Sequence, residues 1–279
     1  MKKVIVGLSD KNYIKHFTSL VKSARIKGEW DGDFVLIMRE EDRDVDVSFY
    51  KKLGVNIFYG KTLPSKPPIH FYKFYLFDRF FSKWDWIFFV DMDVLFLNKI
   101  DINFDNFDVN YIYTKEDGLP FMNHFYGADD GFLEGKNKVV PTKQQQQEKK
   151  LILEKYGNGK AFQTCFLLFN KKFIQEGYFD KLKESYIYYY CYHELARNKW
   201  WDQSIFNLVF YKKWLTLDEK FNNRNQALID VEWELDRLEG GYYDNTNYDN
   251  ITALHFFSFF PPWNENNLRF YPIYKNYLK

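Results

Sequence analysis

Short apolar runs of strand length alternate with stretches of helical period through the first part of the chain. Val4 to Leu8 reads as a buried strand, and Asn12 to Lys27 as a helix closed by Gly28. Phe34 to Met38 is a second strand. Val45 to Leu53 is a helix followed by Gly54, and Val55 to Phe58 is a third strand. After the turn-rich Thr62 to Pro68, aromatic and apolar positions predict a helix from Ile69 to about Phe81. The run Trp86 to Val90 is then a further strand. Strands alternating with helices are the pattern of a mostly parallel α/β sheet with helices on its faces.

The second part is less periodic. Lys115 to Lys150 carries Asp129-Asp130 and the tract Gln144 to Gln147, and predicts loops with one helix at its end. Insertions of this kind at the mouth of an α/β sheet often shape a ligand site. Cys165 to Phe169 reads as another buried strand, Lys172 to Tyr190 as a tyrosine-rich helix, and Leu254 to Phe257 as a late strand. No internal repeat or clean linker breaks the pattern. The expectation is a single domain over residues 1–279, with a nucleotide-binding half at 1–114 and an acceptor half at 115–279.

The candidate chemistry begins where the strand Trp86 to Val90 ends in Asp91-Met92-Asp93. Burying an unpaired carboxylate is costly, so two acids directly after a buried strand need a partner. A divalent cation shared with a diphosphate meets that need, because hard cations take oxygen ligands from one or two carboxylates and substrate phosphates. Open α/β sheets bind ligands at the carboxyl ends of their strands, where these acids stand.

Composition narrows the classes. Of the 279 residues 46% are hydrophobic, which describes a globular chain. Lys and Arg total 39 against 38 Asp and Glu, so no polybasic argument for nucleic acid or an anionic membrane arises. No apolar stretch approaches the ~18 residues of a membrane span. The apolar part of Met1 to Gly7 is cut short by Ser9-Asp10-Lys11-Asn12, and reads as a first core strand rather than a leader. Cys165 and Cys191 lack metal-ligand spacing and read as buried thiols of a reducing compartment. The expected location is therefore cytoplasmic. Aromatic residues reach 22% and are spread through core and surface segments alike, as codon bias in an AT-rich genome would give.

Four blocks, in order, resemble the glycogenin-type glycosyltransferases (family 8, fold type A). The first is Val6 to Tyr13, the strand-to-helix junction that holds uracil and ribose in that family. The resemblance places Gly7, Ser9 and Tyr13 against the nucleotide. The second is Lys73 on the aromatic helix, implied to touch the donor, followed by Asp91 and Asp93 as metal ligands, with Asp91 also reaching the ribose. The third, Phe162-Gln163-Thr164-Cys165, resembles the family's Phe-Asn-(Ser/Thr)-Gly strand, whose amide and hydroxyl grip the transferred sugar. Gln163 and Cys165 replace Asn and Gly here. The fourth, Trp201-Asp202-Gln203 to Asn207, resembles its Asp-Gln signature and implies Asp202 and Gln203 at the anomeric centre. A late His-Phe block, Leu254-His255-Phe256, completes the implied metal set with His255. Ser258 then stands at the glycine that touches the diphosphate, and Pro261 at the family's lysine.

Each block also has a structural alternative. Lys73 could line a solvated helix face, Asp202 could cap the following helix, and His255 could be a hydrogen-bonded core residue. The resemblance implies one Rossmann-like domain of GT-A type with a central, mostly parallel sheet flanked by helices. It further implies Mn2+ (or Mg2+) and a UDP-sugar donor, with transfer of glucose, or else galactose, to a hydroxyl with retained configuration. The acceptor stays open among glycan, protein and small molecule, and a homodimer stays open too. A catalytically idle sugar-nucleotide-binding protein on the same fold is the alternative that the changes at Gln163, Cys165 and Pro261 raise. A nucleotidyltransferase would carry a glycine-rich basic loop after the first strand, and Leu8-Ser9-Asp10-Lys11 is not one.

Overall fold

The first strand, Lys3–Leu8 (β1), buries Val4 to Leu8 without alternation, as a strand covered on both faces must. The computed structural model describes residues 1–124, 142–193, 201–218, 220–221, 223–224, 249–256, 262–265 and 269–278. After β1, helix α1 (Phe17–Ile26) follows a short 3₁₀ turn, and strand β2 is Asp33–Arg39. Helix α2 (Ser48–Lys52) leads to β3 (Val55–Gly60) through Gly54, whose φ of +77° only glycine adopts without strain. Strands β4 (Trp86–Val90), β5 (Val94–Phe96), β6 (Ile112–Thr114) and β7 (Glu116–Pro120) come next. Helix α3 (Lys143–Tyr156), β8 (Lys160–Phe162), β9 (Phe166–Asn170), α4 (Lys172–Gln175), α5 (Tyr178–Tyr186) and α6 (Trp201–Val209) continue the chain. The described residues end with β10 (Trp214–Thr216), β11 (Asn223–Arg224), β12 (Ala253–His255) and α7 (Phe270–Leu278).

A seven-stranded central sheet has the order β10-β6-β9-β4-β1-β2-β3. The β1–β2, β2–β3 and β10–β6 pairings are parallel, whereas β6 and β9 are antiparallel. A mixed α/β sheet flanked by helices is therefore the architecture, as the alternation of strand and helix patterns predicts. Contacts cluster into two units. One comprises Lys61–Ile87 and Asp108–Thr216, with Met1. The other comprises Lys2–Gly60, Phe88–Phe107 and Leu217–Lys279. Among the described residues no helix is long and apolar enough to cross a membrane.

Several elements differ from the sequence reading for identifiable reasons. The segment predicted as one helix from Ile69 to Phe81 is a 3₁₀ helix, Ile69–Phe77, and a second one, Arg79–Lys83. Phe71 to Phe77 are all buried, so no polar face imposes a 3.6-residue period on the segment. Asp78 breaks the two by leaving the helical region and accepting a hydrogen bond from the Phe80 amide at 2.8 Å. The predicted helix Lys172 to Tyr190 is split at Gly177, which sits in the left-handed region at φ +72°. Its end winds into a π-helix, Ile187–Tyr192. Within Lys115 to Lys150 the sequence pattern misses β7, whose Glu-Asp-Gly-Leu-Pro composition carries no alternation. The expected terminal helix is α3, opened by a capping box between Thr142 and Gln145. Residues 125–141, with Asp129-Asp130, lie outside the described residues.

In the second unit α1 turns Phe17, Leu20, Val21 and Ala24 inward, the spacing of an amphipathic face. Its approach to β1 is possible because residue 7 is glycine. A Cβ there would lie 2.4 Å from Phe17 Cε2 and 2.8 Å from Phe17 Cδ2. At the start of α1, the Tyr274 hydroxyl of α7 shares a hydrogen bond of 2.5 Å with His16 Nδ1, and the His16 ring stacks on Trp263 at 4.0 Å. Burial, with the Lys15 charge second, lowers the His16 pKa to about 4, so the imidazole is neutral in the fold.

Two outcomes follow from this packing. Gly7→Ala forces the Phe17 ring to move and should lower stability by about 1–3 kcal/mol, read from the urea midpoint. A midpoint equal to wild type would remove the packing constraint. As pH falls through about 6.5 the unfolded chain protonates its residue-16 imidazole, whereas the folded one does not until about 4. Stability therefore declines across that window. Thermal midpoints at stepped pH should fall less steeply in His16→Gln than in wild type, and equal slopes would reject the assignment.

Candidate active site

The register of one small ladder builds the acidic corner. Strand β4 is buried at all five positions and ends at Asp91 and Asp93. Strand β5 follows at once and pairs antiparallel with β12, setting His255 opposite Val94. The Phe256 amide donates to the Asp93 carbonyl at 2.9 Å and holds the end of the ladder. His255 Nε2 thus lies 3.3 Å from Asp93 Oδ1. Ligand atoms of Asp91, Asp93 and His255 fall within 4.8 Å of one another. His255 is buried, and the two acids are half-buried.

Two carboxylate oxygens and an imidazole nitrogen converging in this way match the donor set of a divalent manganese or magnesium ion. The three residues chosen from sequence as metal ligands are therefore brought together. His255 is not a solitary core histidine, because its Nε2 faces a carboxylate.

The first block lies in the same unit. Its close-packed Gly7 would place a Cβ 3.4 Å from Met92 Sδ, so the β1 end runs against the middle residue of the acidic pair. Ser9 is buried, its amide bonded to the Ile37 carbonyl at 3.0 Å and its hydroxyl to the Asp10 carbonyl at 2.9 Å. Asp10 Oδ1 accepts the amides of Asn12 at 2.8 Å and Tyr13 at 3.3 Å, which fixes the turn. Tyr13 is 52% exposed, with its ring 6.5 Å from Trp263 and 5.8 Å from His16. Its surface is open to a ring-shaped ligand.

The other chosen residues gather in the first unit. Lys73 is buried, and not on a solvated face. Its Nζ lies 3.4 Å from both Thr164 Oγ1 and Asp202 Oδ2. The Thr164 hydroxyl donates to Asp202 Oδ2 at 2.7 Å. Asp202 stands in the first turn of α6 and spends its carboxylate on these tertiary partners. Gln203 Nε2 donates to Asp117 Oδ2 in a short hydrogen bond. Cys165 Sγ donates to Gln163 Oε1 at 3.4 Å, and the Gln163 carbonyl accepts from Thr114 Oγ1 at 2.6 Å. The cysteine in place of the expected glycine thus bears directly on the amide that replaces the expected asparagine.

One residue here escaped the sequence reading, and a second was named only as the last of a motif. Asp117 is a buried acid on a strand with no apolar pattern to flag it. Asn207 accepts the Phe162 amide at 2.8 Å and donates to the Phe162 carbonyl at 2.8 Å, so it clamps β8 to α6. Its place at the end of the Asp-Gln signature was the available signal. Ser258 and Pro261 lie outside the described residues.

Comparison with known proteins bears on the family and the fold. The sequence profile described as Glycosyl transferase family 8 matches residues 35–267. No curated protein matches the chain by sequence. Among solved structures, the glycosyltransferase GlyE of Streptococcus pneumoniae TIGR4 is 16% identical with a TM-score of 0.61, over 99% of this chain and 61% of that one. The galactosyltransferase LgtC, crystallised with donor and acceptor sugar analogues, is 14% identical with a TM-score of 0.61, over 99% and 95%. The bifunctional glycosyltransferase WbbM is 17% identical with a TM-score of 0.63, over 99% and 49%. This chain therefore spans about three-fifths of GlyE and half of WbbM. At such identities the structures establish a shared GT-A fold. The match of the family profile over most of the sequence establishes more: the chain belongs to glycosyl transferase family 8.

Proposed function

We propose that the protein is a metal-dependent hexosyltransferase that moves a sugar from UDP to a hydroxyl acceptor with retention of configuration. Glucose is the first choice of sugar and galactose the second. The observation that carries this reading is the convergence of Asp91, Asp93 and His255 in a chain of this family.

In this reading Asp91, Asp93 and His255 hold Mn2+ (or Mg2+), which when bound supplies a Lewis acid for the charge that grows on the departing diphosphate. Tyr13 offers an exposed ring to the uracil, and Ser9 and the tight turn at Asp10 shape the edge beside it. Asp91 has the further role of reaching the ribose. Gln163 and Thr164 bind hydroxyls of the transferred sugar. Asp202 and Gln203 face the reacting carbon, where the carboxylate favours developing positive charge. Asp202 comes preorganised, because Lys73 and Thr164 fix its orientation before any ligand arrives. Lys73 also contributes positive charge on the donor side, which matters where Pro261 stands in place of a lysine.

Thermal shift across nucleoside diphosphates, each with and without Mn2+, tests the donor half of the reading. UDP compounds should stabilise the protein only with metal, by about 2.7 kcal/mol at a hundredfold excess over Kd. Asp93→Ala should lose that stabilisation and lower transfer by about two orders of magnitude or more. UDP release from UDP-glucose without acceptor separates a working transferase from an idle binder. Transfer that persists in EDTA would defeat the mechanism.

A further inference from the structure

The exposed ring of Tyr13 has neighbours to which the donor reading gives no part. Its backbone is fixed first. The Tyr13 amide donates to the Asp10 carbonyl at 3.2 Å and to Asp10 Oδ1 at 3.3 Å, and its carbonyl accepts the His16 amide at 2.9 Å. The side chain is 52% exposed, so its orientation depends on what stands beside it. That is a set of three rings, each in contact with the other two. His16 stacks on Trp263 at 4.0 Å and 25°, the His16 and Tyr274 centroids are 5.8 Å apart, and those of Trp263 and Tyr274 6.1 Å. Tyr13 meets two of the three, His16 at 5.8 Å and Trp263 at 6.5 Å. Both separations fall within the ~4.5–7 Å of favourable aromatic pairs.

The three rings come from distant segments, and each is anchored. The 3₁₀ turn Ile14–His16, which carries the imidazole, is held by Tyr50, whose hydroxyl donates to the Ile14 carbonyl at 2.6 Å. It is held again by the hydrogen bond between His16 Nδ1 and the Tyr274 hydroxyl. Burial is the largest cause of both pKa shifts, lowering His16 to about 4 and raising the Tyr274 phenol to about 12. That hydrogen bond therefore joins two neutral groups near neutrality. The Tyr274 ring belongs to the apolar cluster of Leu95, Leu254, Phe256, Phe270 and Tyr277, against which Trp263 also packs. Leu254 is the residue before His255 on β12. Tyr274 thus faces two ways: its ring lies in the cluster that seats the imidazole of the acidic corner, and its hydroxyl reaches the turn that follows Tyr13. A nucleoside diphosphate needs its base platform and its cation at one separation. Building both on one cluster keeps that separation before the ligand arrives, and a ring already ordered loses less freedom on binding.

We infer that Tyr274 of α7 is a positioning residue for the nucleotide base, holding the Tyr13 ring in place through His16 and Trp263. The inference rests on the donor reading and adds to it a residue that touches no ligand. Calorimetric titration of the full chain with UDP in the presence of Mn2+ tests it. Tyr274→Phe keeps the ring in the cluster and removes the hydroxyl, and should weaken UDP about fivefold. In a Tyr13→Ala background the same substitution should change UDP affinity by less than about twofold, because the ring it acts through is gone. The KM for UDP-glucose should rise with the Kd while kcat holds, the pattern of binding lost equally from ground and transition states. Trp263 is half-buried, so Trp263→Leu supplies a second variant with the same expected pattern if loss of the hydroxyl disturbs folding, which the thermal midpoint reports. Equal losses in the two backgrounds, or no loss in either, would overturn the inference and leave the donor reading in place. A wild type without Mn2+-dependent affinity for UDP would remove both.

Discussion

A carboxylate cannot remain at the end of a buried strand without something to replace the water it loses, and much of the second unit follows from that constraint. β4 contributes five buried apolar residues and then two acids separated by a single methionine. The effective penalty for removing such a charge from water is several kcal/mol. The fold meets it by leaving Asp91 and Asp93 half-buried and by bringing an imidazole from far along the chain. What fixes the imidazole is hydrophobic. Leu254 and Leu95 are cross-strand partners, both fully buried, in a cluster with Phe256, Phe270, Tyr274 and Tyr277. A slip of one residue would send Leu254 out of that cluster and turn His255 away from the acids, because side chains alternate faces along a strand. The polar centre is thus specified by the apolar contacts behind it.

The first unit solves the same problem differently. Asp202 is buried, and Lys73 and Thr164 supply its opposite charge and hydrogen bond from two other segments of the chain. Removing either member of a buried ion pair typically costs about 3–5 kcal/mol, whereas replacing both by apolar residues is often neutral. Stability alone therefore does not explain why the ionic arrangement is present. Orientation does. Thr164 follows Gln163 at the entry to β9, Asp202 opens α6, and Asn207 binds α6 to β8 through both of its amide atoms. A carboxylate held in this way keeps its lone pairs aimed without spending ligand-binding energy on reorganisation.

Much of this was legible in the sequence, and the limits have physical causes. Strands buried on both faces announce themselves as continuous apolar runs, so β1, β2, β4 and β9 are placed to within about two residues. The meeting of Asp91, Asp93 and His255 was readable because they occupy motifs whose order is a property of the chain. Asp117 was not readable, since its strand is short, irregular and polar, and Gln203, which donates to its carboxylate, lies far along the chain. The aromatic segment after Pro68 misled for the opposite reason. It is apolar on every side, and a segment without a polar face carries no period from which to tell an α-helix from a 3₁₀ one. Gly177 carried a signal that the long tyrosine-rich pattern around it obscured.

The distribution of acid partners explains why one cluster in particular suits a cation. Asp42 is held by Arg39 at 2.9 Å, Asp85 by Lys171 at 2.8 Å, and Asp202 by Lys73 at 3.4 Å, so each of these charges is locally balanced. Asp93 instead faces His255 Nε2 at 3.3 Å, and Asp91 brings a ligand atom within 4.8 Å of both. A divalent ion would take both carboxylates and the imidazole nitrogen as ligands, which a proton on the histidine would prevent. Among the described residues no other group of acids, histidines and cysteines converges in this way. The same residue type thus stands beside a lysine in one unit, at Asp202, and beside a histidine in the other, at Asp93.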